Sequence, residues 1–296
     1  MSAATQTNVP DVVVNATRRR RAWLGAFRTP SGIIGLVLML AVIAMALLSL
    51  FGLTPYDPAH QNVELSLKPP SPTHWFGTDQ FGRDIFSRVA SGLANSLRIA
   101  IVSVAAAAIV GIVLGVIAGY YQGIIDRIVG VITNVLFAFP SLLLALALAA
   151  TLQPSWQTVS LSIAIVYMPI FARVARGPVL TLRSADYVLA STAIGRSRLS
   201  TLFEHILPNL RSILVVQVTL SLSWAILTEA SLSFLGFGTP PPAASLGGMV
   251  YDAQTLSSVA PWMLLFPGLA LIIAVIGLNL LGDSLRAALD PKTGGR

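Results

Sequence analysis

The sequence predicts an all-α integral membrane protein of about six transmembrane helices with both termini cytoplasmic, on three observations. Of 296 residues, 55% are hydrophobic and only 10% charged, and the mean hydropathy of +0.77 lies outside the range of soluble domains. Six stretches come close to or exceed the roughly 20 apolar residues that cross a bilayer. The basic residues then divide unevenly between alternate segments. Lys68, Arg83, Arg88 and Arg98 fall on one side, and the rest of the 19 Lys and Arg, from Arg18 to Arg296, fall on the other. Loops rich in Lys and Arg stay in the cytoplasm, which orients the chain.

The first span covers 33–53 behind Arg18, Arg19, Arg20, Arg21 and Arg28. Its apolar core is too long for a secretory leader and runs straight into Pro55, Tyr56 and Asp57, so it reads as an uncleaved helix. Residues 1–31 form a polar cytoplasmic tail, disordered in part. An outer segment, 54–96, is stiffened at its start by Pro55, Pro58, Pro69, Pro70 and Pro72. Within it Asp79 with Arg83, and Asp84 with Arg88, stand at i, i+4 spacing beside Phe76, Phe81, Ile85 and Phe86. That pattern predicts an amphipathic helix on the outer interface, either a lip that seats a partner or a solvated linker.

The second span, 97–120, carries Gly111, Gly115 and Gly119 at four-residue intervals. Such a stripe lets another helix approach closely, and packing inside one subunit is the favoured reading over a seam between subunits. Pro140 in the third span, 128–152, and Pro169 in the fourth, 159–174, should each bend their helix. The fifth span, 212–235, holds Glu229, about 27 Å along the helix from Arg211. This places the carboxylate near the outer interface as a polar anchor or partner-subunit ion pair rather than a substrate contact, so Glu229→Gln is expected to be mild. The sixth span, 262–281, closes a transmembrane domain of 32–284, followed by a cytoplasmic tail, 285–296.

Several chemistries lack their parts. Neither Lys68 nor Lys292 ends a Gly-rich run, so there is no phosphate-cradling Walker loop. His60, His74 and His205 are isolated and cysteine is absent, so no metal is expected on this chain alone. No Gly-x-Ser-x-Gly elbow occurs, and no catalytic residue is expected. The arginines are spread along loops rather than gathered on one face, against a nucleic-acid partner. An ion-coupled carrier would place carboxylates or broken helices at the midplane, and neither is evident.

The most informative segment is the cytoplasmic loop 176–211. Ser184 and Asp186 supply an N-cap and first-turn charge, 187–193 form a short helix, and Gly195 ends it. A second helix starts at Ser197 or Ser200, presents Leu199, Leu202, Phe203 and Ile206 on one face with Arg198 and Glu204 on another, and stops at Pro208. Two short helices around a glycine corner make a rigid protrusion suited to being gripped.

Tyr187-Val-Leu-Ala-Ser-Thr-Ala-Ile-Gly195, followed by His205-Ile-Leu-Pro208, resembles the EAA loop of bacterial ABC-importer permeases. Leu189, Ala190 and Ser191 stand at the Glu-Ala-Ala positions, Gly195, Leu207 and Pro208 match, and His205 falls where the pattern has Ile. The glutamate is missing, and with it any polar contact it makes. Trp75-Phe-Gly-Thr-Asp-Gln-Phe-Gly-Arg-Asp-Ile-Phe-Ser-Arg88, and Leu227-Thr-Glu-Ala-Ser-Leu-Ser-Phe-Leu-Gly-Phe-Gly238 before Pro240, Pro241 and Pro242, look like the dipeptide/oligopeptide branch.

The resemblance implies a type I permease subunit of an ATP-driven importer in the bacterial inner membrane. It implies a second homologous permease, two ATPase domains that bind the ATP and Mg, and an extracytoplasmic substrate-binding protein. No cofactor is expected on this chain. Asp186, Tyr187, Ala190, Ser191, Gly195, His205, Leu207 and Pro208 would form the ATPase-coupling loop, and Phe76, Asp79, Arg83, Asp84 and Arg88 an outer contact for the binding protein or partner permease. Glu229 stands as a possible pathway or interface residue. Peptides are the expected cargo; nickel, glutathione or haem-like cargo, or an ion-coupled carrier, are the alternatives.

Overall fold

The computed structural model describes residues 29–289 and is helical throughout its apolar parts. Thr29 caps the first helix, α1 (Pro30–Leu50), by accepting from the Gly32 N–H at 3.1 Å. After an irregular outer segment, α2 (Ile85–Tyr121) runs for 37 residues. Gln122 and Gly123, both at positive φ, turn the chain sharply into α3 (Gly123–Ala138) and α4 (Ser141–Thr151). These meet at 92° around Phe139 and Pro140, where proline removes a helix donor. Then follow α5 (Trp156–Leu182), α6 (Asp186–Ala193), α7 (Arg198–Thr201), a π-helical turn (Leu202–Ile206), α8 (Leu207–Phe234), α9 (Leu246–Ala253) and α10 (Trp262–Leu289).

Five helical stretches are each long and apolar enough to cross a membrane, and the bent α3–α4 pair offers a sixth crossing. The packing of α2 on α5 decides what that pair does. A Cβ on Gly111 would meet Met168 O at 2.4 Å, one on Gly115 would meet Ala172 O at 2.2 Å, and one on Gly119 would meet Arg176 O at 3.0 Å. Residue numbers rise together, so α2 and α5 are parallel, and the chain between them must return across the bilayer. Six crossings follow, and both ends lie on one side. The glycine stripe is thus internal packing, as favoured from sequence, and it brings two backbones into contact.

Around this pair α1 lies antiparallel to α10, with Ser31 Oγ 3.2 Å from Ser284 Oγ, and α8 packs on α2, α5 and α10. The main core runs from Met39 through Ile99, Ile163, Phe171 and Ile226 to Leu278. A smaller one gathers Val116, Ala175, Val179, Leu202, Ile206 and Leu210 at the cytoplasmic end.

Several boundaries differ from expectation because hydropathy misses helix that is polar but buried. The second helix begins at Ile85 rather than 97, since Ser87, Arg88, Asn95 and Ser96 are buried within it. The fourth runs on to Leu182 through both Pro169 and Pro178, and the sixth continues beyond 284. The third span is broken at Pro140, where a bend was expected, more sharply than a simple kink, whereas the fourth helix continues through Pro169. The tail expected over 1–31 falls, up to residue 28, outside the described residues, as do 290–296 of the C-terminal tail.

Candidate functional site: a coupling surface and two buried polar clusters

At the cytoplasmic end, α6 and α7 form the protrusion. Ala185 is the N-cap of α6 and contributes no side-chain bond, so the expected cap by Ser184 is replaced: its hydroxyl donates back to Thr181 O at 2.9 Å. Gly195 has φ +84, the left-handed corner anticipated for it. Ser197 caps α7 through the Ser200 N–H at 3.2 Å. Ser191 Oγ lies 3.3 Å from Thr201 Oγ, closing α6 onto α7, and Arg196 pairs with Glu204.

Pro208 does not stop the second helix. In a regular α-helix its ring would collide with the carbonyl of Glu204, four residues back; the π turn over Leu202–Ile206 widens the path, and the helix runs unbroken into α8. The apolar face expected on α7 splits accordingly. Leu202 and Ile206 are buried against α2 and α5, whereas Leu199 and Phe203 are exposed, Phe203 at 67%. Tyr187, Leu189 at 52% and Ile194 are exposed as well. Asp186, Ala190 and Gly195 join that outward surface, His205, Leu207 and Pro208 are half-buried below it, and Ser191 is buried. Tyr187 and His205 meet edge to face at 6.0 Å, and Asn209 Nδ2 bonds both Tyr187 Oη at 3.4 Å and His205 O at 2.5 Å.

At the outer end the expected interfacial helix is absent. Asp79, Arg83, Asp84 and Arg88 are all buried, and Asp79 and Arg83 lie in a turn before α2 begins. Asp79 accepts from the Phe81 N–H at 2.9 Å, the Arg83 N–H at 3.0 Å and Arg83 Nε at 2.6 Å. Asp84 is the N-cap of α2, accepting from the Ser87 N–H and Ser87 Oγ, each at 2.8 Å, with His74 Nδ1 at 2.9 Å. Arg88 Nη1 donates to Pro58 O at 3.1 Å, and Phe76 stacks on Phe266 at 3.9 Å. The i, i+4 spacing is real, but it reflects a turn and cap that turn the charges inward. The cluster has a further member that sequence gave no sign of: half-buried Asp252 on α9, whose carboxyl is pushed up by burial while Arg83 and Arg88 pull it down.

Glu229 is fully buried. It accepts from Ser96 Oγ at 2.6 Å, Ser233 Oγ at 2.7 Å and Ser245 Oγ at 3.3 Å. The expectation of a polar anchor at the outer interface or a partner-subunit ion pair gives way: a buried carboxylate needs donors, and three serines supply them within the subunit. Helical rise places Glu229 near the end of α8, but says nothing of α2 and α9 covering it.

The model of the family described as "Binding-protein-dependent transport system inner membrane component" matches residues 111–295, which include the whole protrusion. The chain belongs to this family. It is a non-catalytic, multi-pass inner-membrane permease subunit of an ABC importer and binds no cofactor itself. The permease is 42% identical to the dipeptide transport system permease protein DppC of Alkalihalophilus pseudofirmus over 91% of its own length and 90% of the relative's. It is 45% identical to the glutathione transport system permease protein GsiD of Salmonella typhimurium, covering 86% and 85%. Its fold resembles a chain of the MetNI methionine ABC transporter in inward-facing conformations, with a TM-score of 0.57, 20% identity, and coverage of 69% of this permease and 96% of that chain.

Proposed function

We propose that this permease forms half of a translocation path for di- and oligopeptides, beside a second homologous permease. It receives cargo from an extracytoplasmic binding protein and is driven by two ATPase domains that grip α6, the Gly195 corner and α7. The continuous helix from α7 through the π turn into α8 carries the mechanical part of this reading. Its inner face is anchored on α2 and α5 by Leu202, Ile206 and Leu210, while its outer face offers Leu189, Ile194, Leu199 and Phe203 to a partner. A push on those exposed residues reaches three spans as a rigid displacement. Leu189, at the usual glutamate position, makes the contact apolar.

The relatives' names support a peptide cargo, and the 45% identity to a glutathione permease favours a γ-glutamyl tripeptide as the second reading. The test is affinity purification in mild detergent, followed by reconstitution with the binding protein. Co-purification of a second permease and ATPases, with ATP-dependent uptake of labelled dipeptides, is the expected result. Recovery alone or as a homo-oligomer, even after crosslinking, would overturn the assembly; uptake of glutathione but no dipeptide would overturn the cargo.

A further inference from the structure

Arg173 lies inside α5 and turns the wrong way for an interfacial residue. At the outer end of that helix, Arg98 sits over the Trp156 ring at 4.3 Å, a pairing suited to the headgroup level. Arg173 is about 25 Å further along α5, inside the roughly 30 Å hydrocarbon layer near its cytoplasmic edge. An arginine at such a depth ordinarily extends to the nearest water. Arg173 instead donates from Nη2 to Asn134 Oδ1 at 3.3 Å and lies over the Phe137 ring at 4.1 Å.

Both partners are on α3, which runs antiparallel to α5 and begins at the cytoplasmic side. The level of α3 near its start is marked by Asp126, which holds Arg176 through bonds of 2.5 and 2.7 Å. Asn134 is eight residues beyond Asp126, about 12 Å deeper along the helix. Arg176 is thereby neutralised, whereas Arg173 has no carboxylate within ion-pair reach among the described residues. Arg173, Asn134 and Phe137 are exposed on the subunit, and the α3–α4 break at Phe139 and Pro140 follows directly.

A guanidinium turned into the hydrocarbon layer rather than out to its edge, open and without a counter-charge, is unfavourable against lipid and fits a water-lined cavity. Stacked on an aromatic ring and tethered by one amide, it keeps most of its five donors in a fixed fork that matches a planar carboxylate. The C-terminal carboxylate is the anionic group shared by peptides of any sequence.

We propose that Arg173, positioned by Asn134 and Phe137, lines the translocation path and contacts the cargo's carboxylate; the cargo part rests on the peptide reading above. Two measurements on the assembled complex in nanodiscs or proteoliposomes test it. The chain contains no cysteine, so in a complex whose other subunits are freed of cysteine, Arg173→Cys reports on one site. A water-soluble anionic methanethiosulfonate should modify it rapidly, and peptide cargo should slow the reaction. An unreactive thiol would mean a sealed or lipid-facing position and overturn the proposal.

In the second measurement, uptake of a free-acid peptide is compared with uptake of its C-terminal amide, at equal binding-protein occupancy. Arg173→Gln should slow the free acid about 10-fold or more and leave the amide unchanged, with Arg173→Lys restoring part of the rate. Equal slowing of both peptides, or none, would overturn carboxylate contact. Should the unmutated complex carry neither peptide, the peptide cargo reading falls and the carboxylate role falls with it, while thiol reactivity still decides whether Arg173 faces the path.

Discussion

Ser96 Oγ donates to Glu229 Oε2 at 2.6 Å across 133 residues of sequence, tying the outer part of α2 to the last turns of α8. Ser245, the N-cap of α9, reaches the same carboxylate at 3.3 Å, so three elements converge on one buried side chain. Glu229→Ala would orphan the three hydroxyls and leave a cavity, costing about 3–5 kcal/mol. Glu229→Gln keeps the volume but replaces one acceptor with a donor, costing about 1–2 kcal/mol. Thermal unfolding of the purified complex should rank wild type above Gln above Ala; an Ala variant as stable as wild type would contradict the role given to Glu229 here.

A Cβ added at Gly195 would meet nothing within 4 Å, yet the residue's φ is +84. Gly195→Val therefore acts through backbone strain alone, about 1–2 kcal/mol, concentrated where α6 turns onto α7. The expected result is normal membrane insertion with uptake lowered several-fold relative to ATP hydrolysis. Uptake per ATP unchanged from wild type would show that the corner's shape is immaterial to coupling.

The α2–α5 seam is intolerant of a single methyl group at Gly115, where a Cβ would lie 2.2 Å from Ala172 O. Forcing the backbones apart costs about 1–3 kcal/mol or more for Gly115→Ala. Gly177→Ala on α5 is the matched control, because its Cβ would meet nothing within 4 Å. Yield and melting temperature in detergent should fall for the first substitution and hold for the second.

The outer cluster carries a pH signature through Asp252. Burial raises its carboxyl above the ordinary 3.8, with Arg83 and Arg88 acting in the opposite direction. The native state thus holds the proton more tightly than the unfolded chain. Its stabilising contribution is complete below the unfolded pKa and is lost as pH rises through the raised native one. Between wild type and Asp252→Asn, the difference in melting temperature measured from pH 4 to 7 should change in that direction; a difference independent of pH would rule out this titration.

Much of the cytoplasmic loop 176–211 was legible in the sequence because its signals are local. Ser197 as a cap and Gly195 as the corner each depend on residues within a turn or two, whereas the apolar face expected beyond them is split between exposed Leu199 and Phe203 and buried Leu202 and Ile206. Pro208 misled because a proline's effect depends on helix register, and the π turn that accommodates it is held by buried Leu202 and Ile206. The outer residues misled for a related reason: Asp79/Arg83 and Asp84/Arg88 spacing is the same for an amphipathic helix and for a capping turn.

Composition and local pattern alone fixed the solvent, the number of crossings, the orientation and the glycine corner of the cytoplasmic protrusion, since apolar length, basic-residue bias and capping are properties of short stretches. Where the polar groups point came from packing between distant segments. Glu229 found its serines on α2, α8 and α9, Asp252 joined two arginines from far along the chain, and Arg173 lay against Asn134 and Phe137 of α3. Water is scarce inside a bilayer, so a polar side chain there takes its role from partners far away in sequence.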